Sequence, residues 1–338
     1  LEISAPPIFV AYGVQFGRKG ASAKAPLVGK SFQAKGSPRR RPDSEWLQGK
    51  ICMSETSAAD QSNLTRIVQP LIRLVVLGGL LFYGMGWAEG RLQEFHDRPI
   101  LNILVQIVLA LAAIALYLGY GRFIERREVT ELSTPAMGRE WAIGAAIGVG
   151  LYTSCVAALM LLGYYKVEGF NPIAFALPAL ALAIKSGTFE ELIFRGVLHQ
   201  SIESLLGSWA AILAASVVFG FLHLLNPAAT MAGAIYISIE AGLLLSAAYL
   251  VTRRLWICMG FHMGWNFVQE GIYSGVVSGG PGDPGLLKAT IEGPTLLTGG
   301  TFGMEQSLFA LVFCTTTGVI LLLIAIRRGH VLPPIWKR

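Results

Sequence analysis

Residues 187–198 read GTFEELIFRGVL, placing two adjacent glutamates and an arginine in a run otherwise apolar enough for a lipid bilayer. On insertion scales a charge at the centre of a membrane helix costs about 2.5–3.5 kcal/mol, so three ionisable groups this close together need a reason. Glu191 and Arg195 stand four apart, share a helix face and can form an ion pair. Glu190 is turned by about 100° from Glu191, has no such partner in its own helix, and is free to face a cavity and a water. Two more pairs follow at the same spacing, Phe219 with His223 in FGFLH and His262 with Asn266 in HMGWN. A lone histidine in a membrane helix is more often a packed hydrogen-bonding residue than a catalyst. EExxxR, FxxxH and HxxxN in that order, each on its own apolar helix within about 80 residues, form a specific set, and proton transfer is the chemistry open to it.

The elements that must position these residues are membrane helices. The chain is 53% hydrophobic and 14% charged, with a mean hydropathy of +0.56, far more apolar than a soluble domain. Windows of about 20 apolar residues, enough to cross about 30 Å of hydrocarbon, recur from Ile67 onward. These continuous runs exclude the alternating strands of a β-barrel. They predict an all-α, polytopic membrane protein of about eight helices around a polar cavity: Ile67–Trp87, Ile100–Tyr120, Trp141–Leu162, Ile173–Gln200, Trp209–Leu225, Thr230–Val251, Leu255–Tyr273 and Leu308–Ile326.

Cys52, Cys155, Cys258 and Cys314 have neither CxxC spacing nor a dense framework and read as packing residues. The net charge of +6 comes from short basic clusters beside the apolar runs, a signature of topology and not of nucleic-acid binding. With eight spans, Arg66, Arg122, Arg126, Arg127, Arg253, Arg254, Arg327 and Arg328 fall on one side, so both termini are expected in the cytoplasm. An inner or plasma membrane is the default location. The Gly- and Pro-rich segment Ser274–Gln306 then lies on the other side, as a mobile cover or a re-entrant segment.

Residues 1–52 lack an apolar period and are basic and rich in Gly, Pro and Ser, and the polar lead SETSAADQSNLTR follows Met53, so residues 1–66 are read as a disordered or over-extended N-terminal segment and the membrane domain is assigned to 67–338. The chain opens on Leu1 and its first methionine is Met53, which makes residues 1–52 either an upstream over-extension or a disordered basic arm. An organelle transit peptide is a further reading of the same composition.

The three motifs, with the contexts FEELIFRG, FGFLH, IEAG and GFHMGWNF, resemble the CAAX prenyl endopeptidase and bacteriocin-processing (CPBP, or Abi) family of intramembrane proteases over roughly Asn171–Phe267. The resemblance implies hydrolysis of a peptide bond within the membrane. Glu190 and His223 would activate a water, His262 and Asn266 would stabilise the oxyanion, and Arg195 paired with Glu191 would hold the helix. The substrate would be a prenylated or membrane-associated peptide or protein entering from the lipid bilayer. No cofactor is favoured. Zinc held by Glu190, His223 and His262 is the alternative, weakened by the lack of HExxH. Other readings of the cavity are a non-proteolytic scaffold or a bacteriocin self-immunity protein, and a proton-relaying transporter, which lacks the inverted repeat.

Outside the motifs, Glu240 is expected either to line the cavity or to pair with Lys185 or Arg195. Glu270 and His199 read as interfacial residues near helix ends. Trp87, Trp141, Trp209, Trp256 and Trp336 read as interface anchors.

Overall fold

The computed structural model describes residues 66–338, and the expectations for residues 1–52 and for a start at Met53 fall outside that range. Among the described residues, seven helices are long and apolar enough to cross a membrane. They are α1 (Arg66–Glu94), α2 (Pro99–Ile124), α3 (Met137–Leu161), α4 (Ile173–Leu206), α5 (Ser208–Leu225), α6 (Met231–Thr252) and, after one shorter helix, α8 (Leu308–Arg327). The protein is an integral, multi-pass membrane protein. The shorter helix, α7, corresponds to the predicted span Leu255–Tyr273, with 11 residues of α-helix (Trp256–Asn266) followed by 6 of wider π-type turn (Phe267–Ile272).

The length of α7 reflects its position. Within Trp256–Asn266 every residue but Met263 is buried, as expected of a helix that is apolar on all sides and enclosed by others. By contrast only 22% of the apolar window of α1 or α8 is buried, and Val75, Tyr83, Val312 and Ile320 point outward as lipid-facing residues do. Glycines bring α7 against α3. A Cβ on Gly144 or Gly148 would sit 2.1 or 2.4 Å from the carbonyl oxygens of Ile257 or Phe261, and one on Gly260 would sit 2.1 Å from that of Trp141. Two small-xxx-small faces, Gly144–Gly148 and Gly260–Gly264, therefore interlock backbone to backbone, the close approach by which membrane helices associate without a hydrophobic driving force. This contact fixes the rotation of the helix that carries His262 and Asn266.

The two ends of the bundle differ. Arg73 meets Glu125 at 2.6 Å, Arg127 meets both Glu125 and Glu131 at 2.6 Å, Arg253 meets Glu203 at 2.6 Å, and Arg254 clasps Glu140. Arg328 also donates to the carbonyl of Val251 at 2.9 Å, so Arg127, Arg253, Arg254 and Arg328, which the sequence puts on one side, gather at one end. At the other end, β1 (Tyr165–Phe170) pairs antiparallel with β2 (Leu287–Ile291), with a bulge between Val167 and Gly169. The β1 segment reads as a loop in the sequence.

That sheet anchors the long segment between α7 and α8, which closes over the bundle as a roof. Asn226 donates to the carbonyl of Ser278 at 2.7 Å, Asn171 donates to that of Gly285 at 2.8 Å, and Glu270 accepts from the backbone N–H of Asp283 at 3.1 Å. Ser307 ends the roof and caps α8 by accepting from the N–H of Ala310 at 3.1 Å.

Candidate active site

The FEEL segment lies midway along α4, where the backbone widens into π-type turns over Leu192–His199. Similar turns occur beside the polar core at Ser238–Gly242 in α6 and Phe267–Ile272 in α7, and away from it at Arg73–Leu77 in α1 and Tyr120–Ile124 in α2. Such insertions re-aim side chains and are frequent at functional sites.

Glu191 and Arg195 are both fully buried and pair at 3.1 Å, as their spacing predicts. Glu191 also does something the spacing does not reveal. Its Oε1 lies 2.7 Å from Nδ1 of His262 on α7. A carboxylate accepts, so Nδ1 carries the proton and the ring orientation is fixed. On the other edge of the imidazole, Nε2 lies 3.7 Å from Oε2 of Glu190, whose side chain is 16% exposed against 0% for Glu191. Glu190 is thus the glutamate with access, and the line Arg195–Glu191–His262–Glu190 ties α4 to α7.

His223 completes the set from the end of α5. Its Nδ1 lies 2.8 Å from the carbonyl oxygen of Phe219, which can only accept, so the proton is on Nδ1 and Nε2 keeps a lone pair. The aromatic residue of the FxxxH pair is a platform. The guanidinium carbon of Arg195 sits 4.7 Å above the Phe219 ring, with the rings of His223 and His262 edge-on at 4.9 and 6.1 Å. Asn266 donates one amide hydrogen to Ser186 at 2.8 Å, which leaves the other for a ligand.

His223, His262 and Asn266 line one cavity together with Glu240 and the roof residues Ser278 and Glu305. It leaves about 30 Å³ for the centres of water-sized spheres, room for one or two waters. The structure therefore brings all six predicted residues into one region, with Glu190 against His262 at its edge.

Several neighbouring expectations change. Glu240 lines the cavity but takes neither predicted partner, because Lys185 pairs with Glu89 and Arg195 with Glu191. His199 is not interfacial: it is fully buried, with its ring 5.2 Å from that of Tyr249. Glu270 is also buried and holds the roof at Asp283. Trp87, Trp141, Trp209 and Trp336 are exposed, but Trp256 is buried and donates to the carbonyl of Ser133 at 2.8 Å. Cys155, Cys258 and Cys314 are buried free thiols.

Glu305, Ser278 and Ser186 went unnoticed in the sequence. Ser186 stands four residues before Glu190, a legible signal, whereas Glu305 and Ser278 belong to a loop with no motif. Among the described residues, no three His, Cys, Asp or Glu side chains gather as a metal-binding group.

Neither a curated protein nor a solved structure matches the chain. Residues 172–268 do match the family model described as Type II CAAX prenyl endopeptidase Rce1-like. This stretch starts just before α4 and ends just beyond Asn266, so it holds all three motifs, and over it the chain is similar to the CAAX prenyl endopeptidase (CPBP) family.

Proposed function

We propose that the protein is an intramembrane endopeptidase that hydrolyses a peptide bond of a prenylated or otherwise membrane-associated substrate. The observation that carries this reading is the contact of Glu191 with His262 at 2.7 Å. It joins two motif helices into one orienting pair beside a water-sized cavity within the family-matched segment.

In the mechanism, a water held between Glu190 and Nε2 of His223 attacks the scissile carbonyl carbon as one of these bases takes its proton. The oxyanion receives the free amide hydrogen of Asn266 and, from a protonated His262, the Nε2 hydrogen, while Glu191 keeps that ring from turning. The proton gained by the base then passes to the leaving amine as the C–N bond breaks. Arg195, stacked on Phe219, balances the charge of Glu191 in a low-dielectric site. The substrate enters from the bilayer.

The route uses no metal, and a zinc-dependent alternative is separated from it by experiment. Purified full-length protein in liposomes is given lipidated and plain peptides, products are identified by mass spectrometry, and bound metal is quantified. Cleavage at one bond with metal far below one equivalent supports the proposal. Cleavage that tracks stoichiometric zinc and is lost on chelation contradicts the metal-free route, and cleavage of no peptide contradicts hydrolysis of this substrate class. The membrane is proposed to be the plasma (inner) membrane, with the arginine-rich end in the cytoplasm.

A further inference from the structure

The cavity holds two carboxylates that the hydrolytic steps do not use. Glu240 comes from the wide turn Ser238–Gly242 of α6, and Glu305 comes from the turn Met304–Gln306 at the end of the roof, with relative exposures of 1% and 4%. Glu305 is held in place by Gln269, which donates at 2.8 Å, and by Ser278, which donates at 3.1 Å. Glu240 is not held. Its Oε2 is sealed from solvent and has no hydrogen-bond partner, and among the described residues neither carboxylate has an ion-pair partner.

A buried carboxylate with no counter-charge is among the costliest arrangements in a protein, and two facing one cavity repel each other. Three other buried carboxylates in or near the bundle core are treated differently, while buried Glu270, which also lacks a cation, accepts a backbone N–H from Asp283. Glu191 has Arg195, Glu131 has Arg127 and Glu203 has Arg253. A cation from outside the chain would supply the counter-charge that these two carboxylates lack.

The rest of the wall indicates what kind. Phe261, Trp265, Ile237 and Leu245 also line the cavity, a surface suited to a chain of methylenes, with aromatic faces that tolerate a cation. The space fits a head group the size of water, which an ammonium is and a guanidinium is not. We infer that Glu240 and Glu305 form a subsite for a primary ammonium group of the substrate, a lysine side chain close to the scissile bond. The role in cleavage rests on the hydrolytic reading, but ammonium binding does not.

The binding test uses the full-length protein in detergent, titrated with n-butylammonium chloride, with n-butanol and sodium chloride as controls, and follows thermal unfolding. The expected result is a saturable rise in the unfolding temperature with butylammonium alone. Glu240→Gln, of the same shape but uncharged, should raise the half-saturating concentration by about tenfold or more. Glu305→Gln should do so too, and agreement between the two variants guards against a local disturbance in either one. No saturable shift in the wild type, or the same shift in both variants, overturns the subsite.

A second arm compares peptides that differ only in lysine or norleucine near the cut. A lysine preference that falls toward unity in Glu240→Gln supports the subsite, and an unchanged preference overturns it. A wild type that cuts neither peptide contradicts the hydrolytic reading, while the butylammonium titration still decides the subsite.

Discussion

The two ends of the helix bundle use the same residue types to opposite effect. At the arginine-rich end Glu125, Glu131, Glu140 and Glu203 are each matched by arginine, and Glu131 takes a further hydrogen bond from Tyr117 at 2.7 Å. The Arg127–Glu131 pair holds the Glu131 carboxyl below its usual range despite burial. In the cavity near the roof, Glu190 has only a histidine at 3.7 Å and Glu240 has no partner. A satisfied charge holds helices in register. An unsatisfied one facing a cavity is kept at a cost in stability, and sites of chemistry accept that cost.

The contrast can be broken from either end. The largest effect is expected at Glu191, which touches both systems. Glu191→Ala leaves Arg195 buried without a counter-charge and should cost about 3–5 kcal/mol in thermal or denaturant unfolding in detergent. It should also abolish cleavage, because His262 loses its orienting partner. The double variant Glu191→Leu/Arg195→Met should recover most of the stability and none of the activity. Recovery of both would make the pair purely structural.

Next in size is the α3–α7 contact. Gly260→Val forces a side chain against the backbone of Trp141 and should cost about 1–3 kcal/mol, with activity falling as α7 rotates. Wild-type stability for this variant would show that the helices are not held by close approach. At the paired end, Arg254→Ala removes a half-exposed partner of Glu140 and should cost about 1 kcal/mol or less, with the cleavage rate unchanged. A large loss of rate there would erase the distinction between the two ends.

The smallest effect lies on the roof, where His96 on the α1–α2 loop meets Asp283 at 2.9 Å and Asp97 at 3.7 Å. Asp283 raises the His96 pKa. A raised histidine pKa adds stability that is complete below the unfolded value of about 6.5 and is lost as pH rises through the folded value. The pair is exposed, so the difference should stay below about 1 kcal/mol. Hydrogen exchange over residues 280–286 at pH 5.5 and 8 should show slightly faster opening at the higher pH, and His96→Ala should remove the difference.

How legible this was in the sequence depended on whether the signal was local. Apolar windows locate the seven long helices, with ends off by up to seven residues, and the four-residue spacings find Glu191–Arg195 because both residues sit on one helix. The windows could not show that α7 is enclosed, since a buried helix and a lipid-facing one are equally apolar. The Gly144–Gly148 and Gly260–Gly264 spacings do carry that information. His262 bonding to Glu191, β1 pairing with β2, and Glu305 reaching the cavity all depend on residues far apart in the chain, where no periodicity points. His199 and Trp256 were misplaced for one reason: a polar or aromatic residue near a helix end looks interfacial unless the neighbouring helix is known to cover it.

The most direct test of the account is the rate of peptide cleavage by Glu190→Gln against wild type in the same liposomes, with thermal unfolding recorded on both samples. A rate lowered by about 10²–10⁴-fold in a protein nearly as stable as wild type is the predicted result, since the change removes a base and disturbs one contact, at 3.7 Å to His262. Undiminished cleavage by a folded Glu190→Gln would contradict the assignment of the unpaired glutamate as the working base.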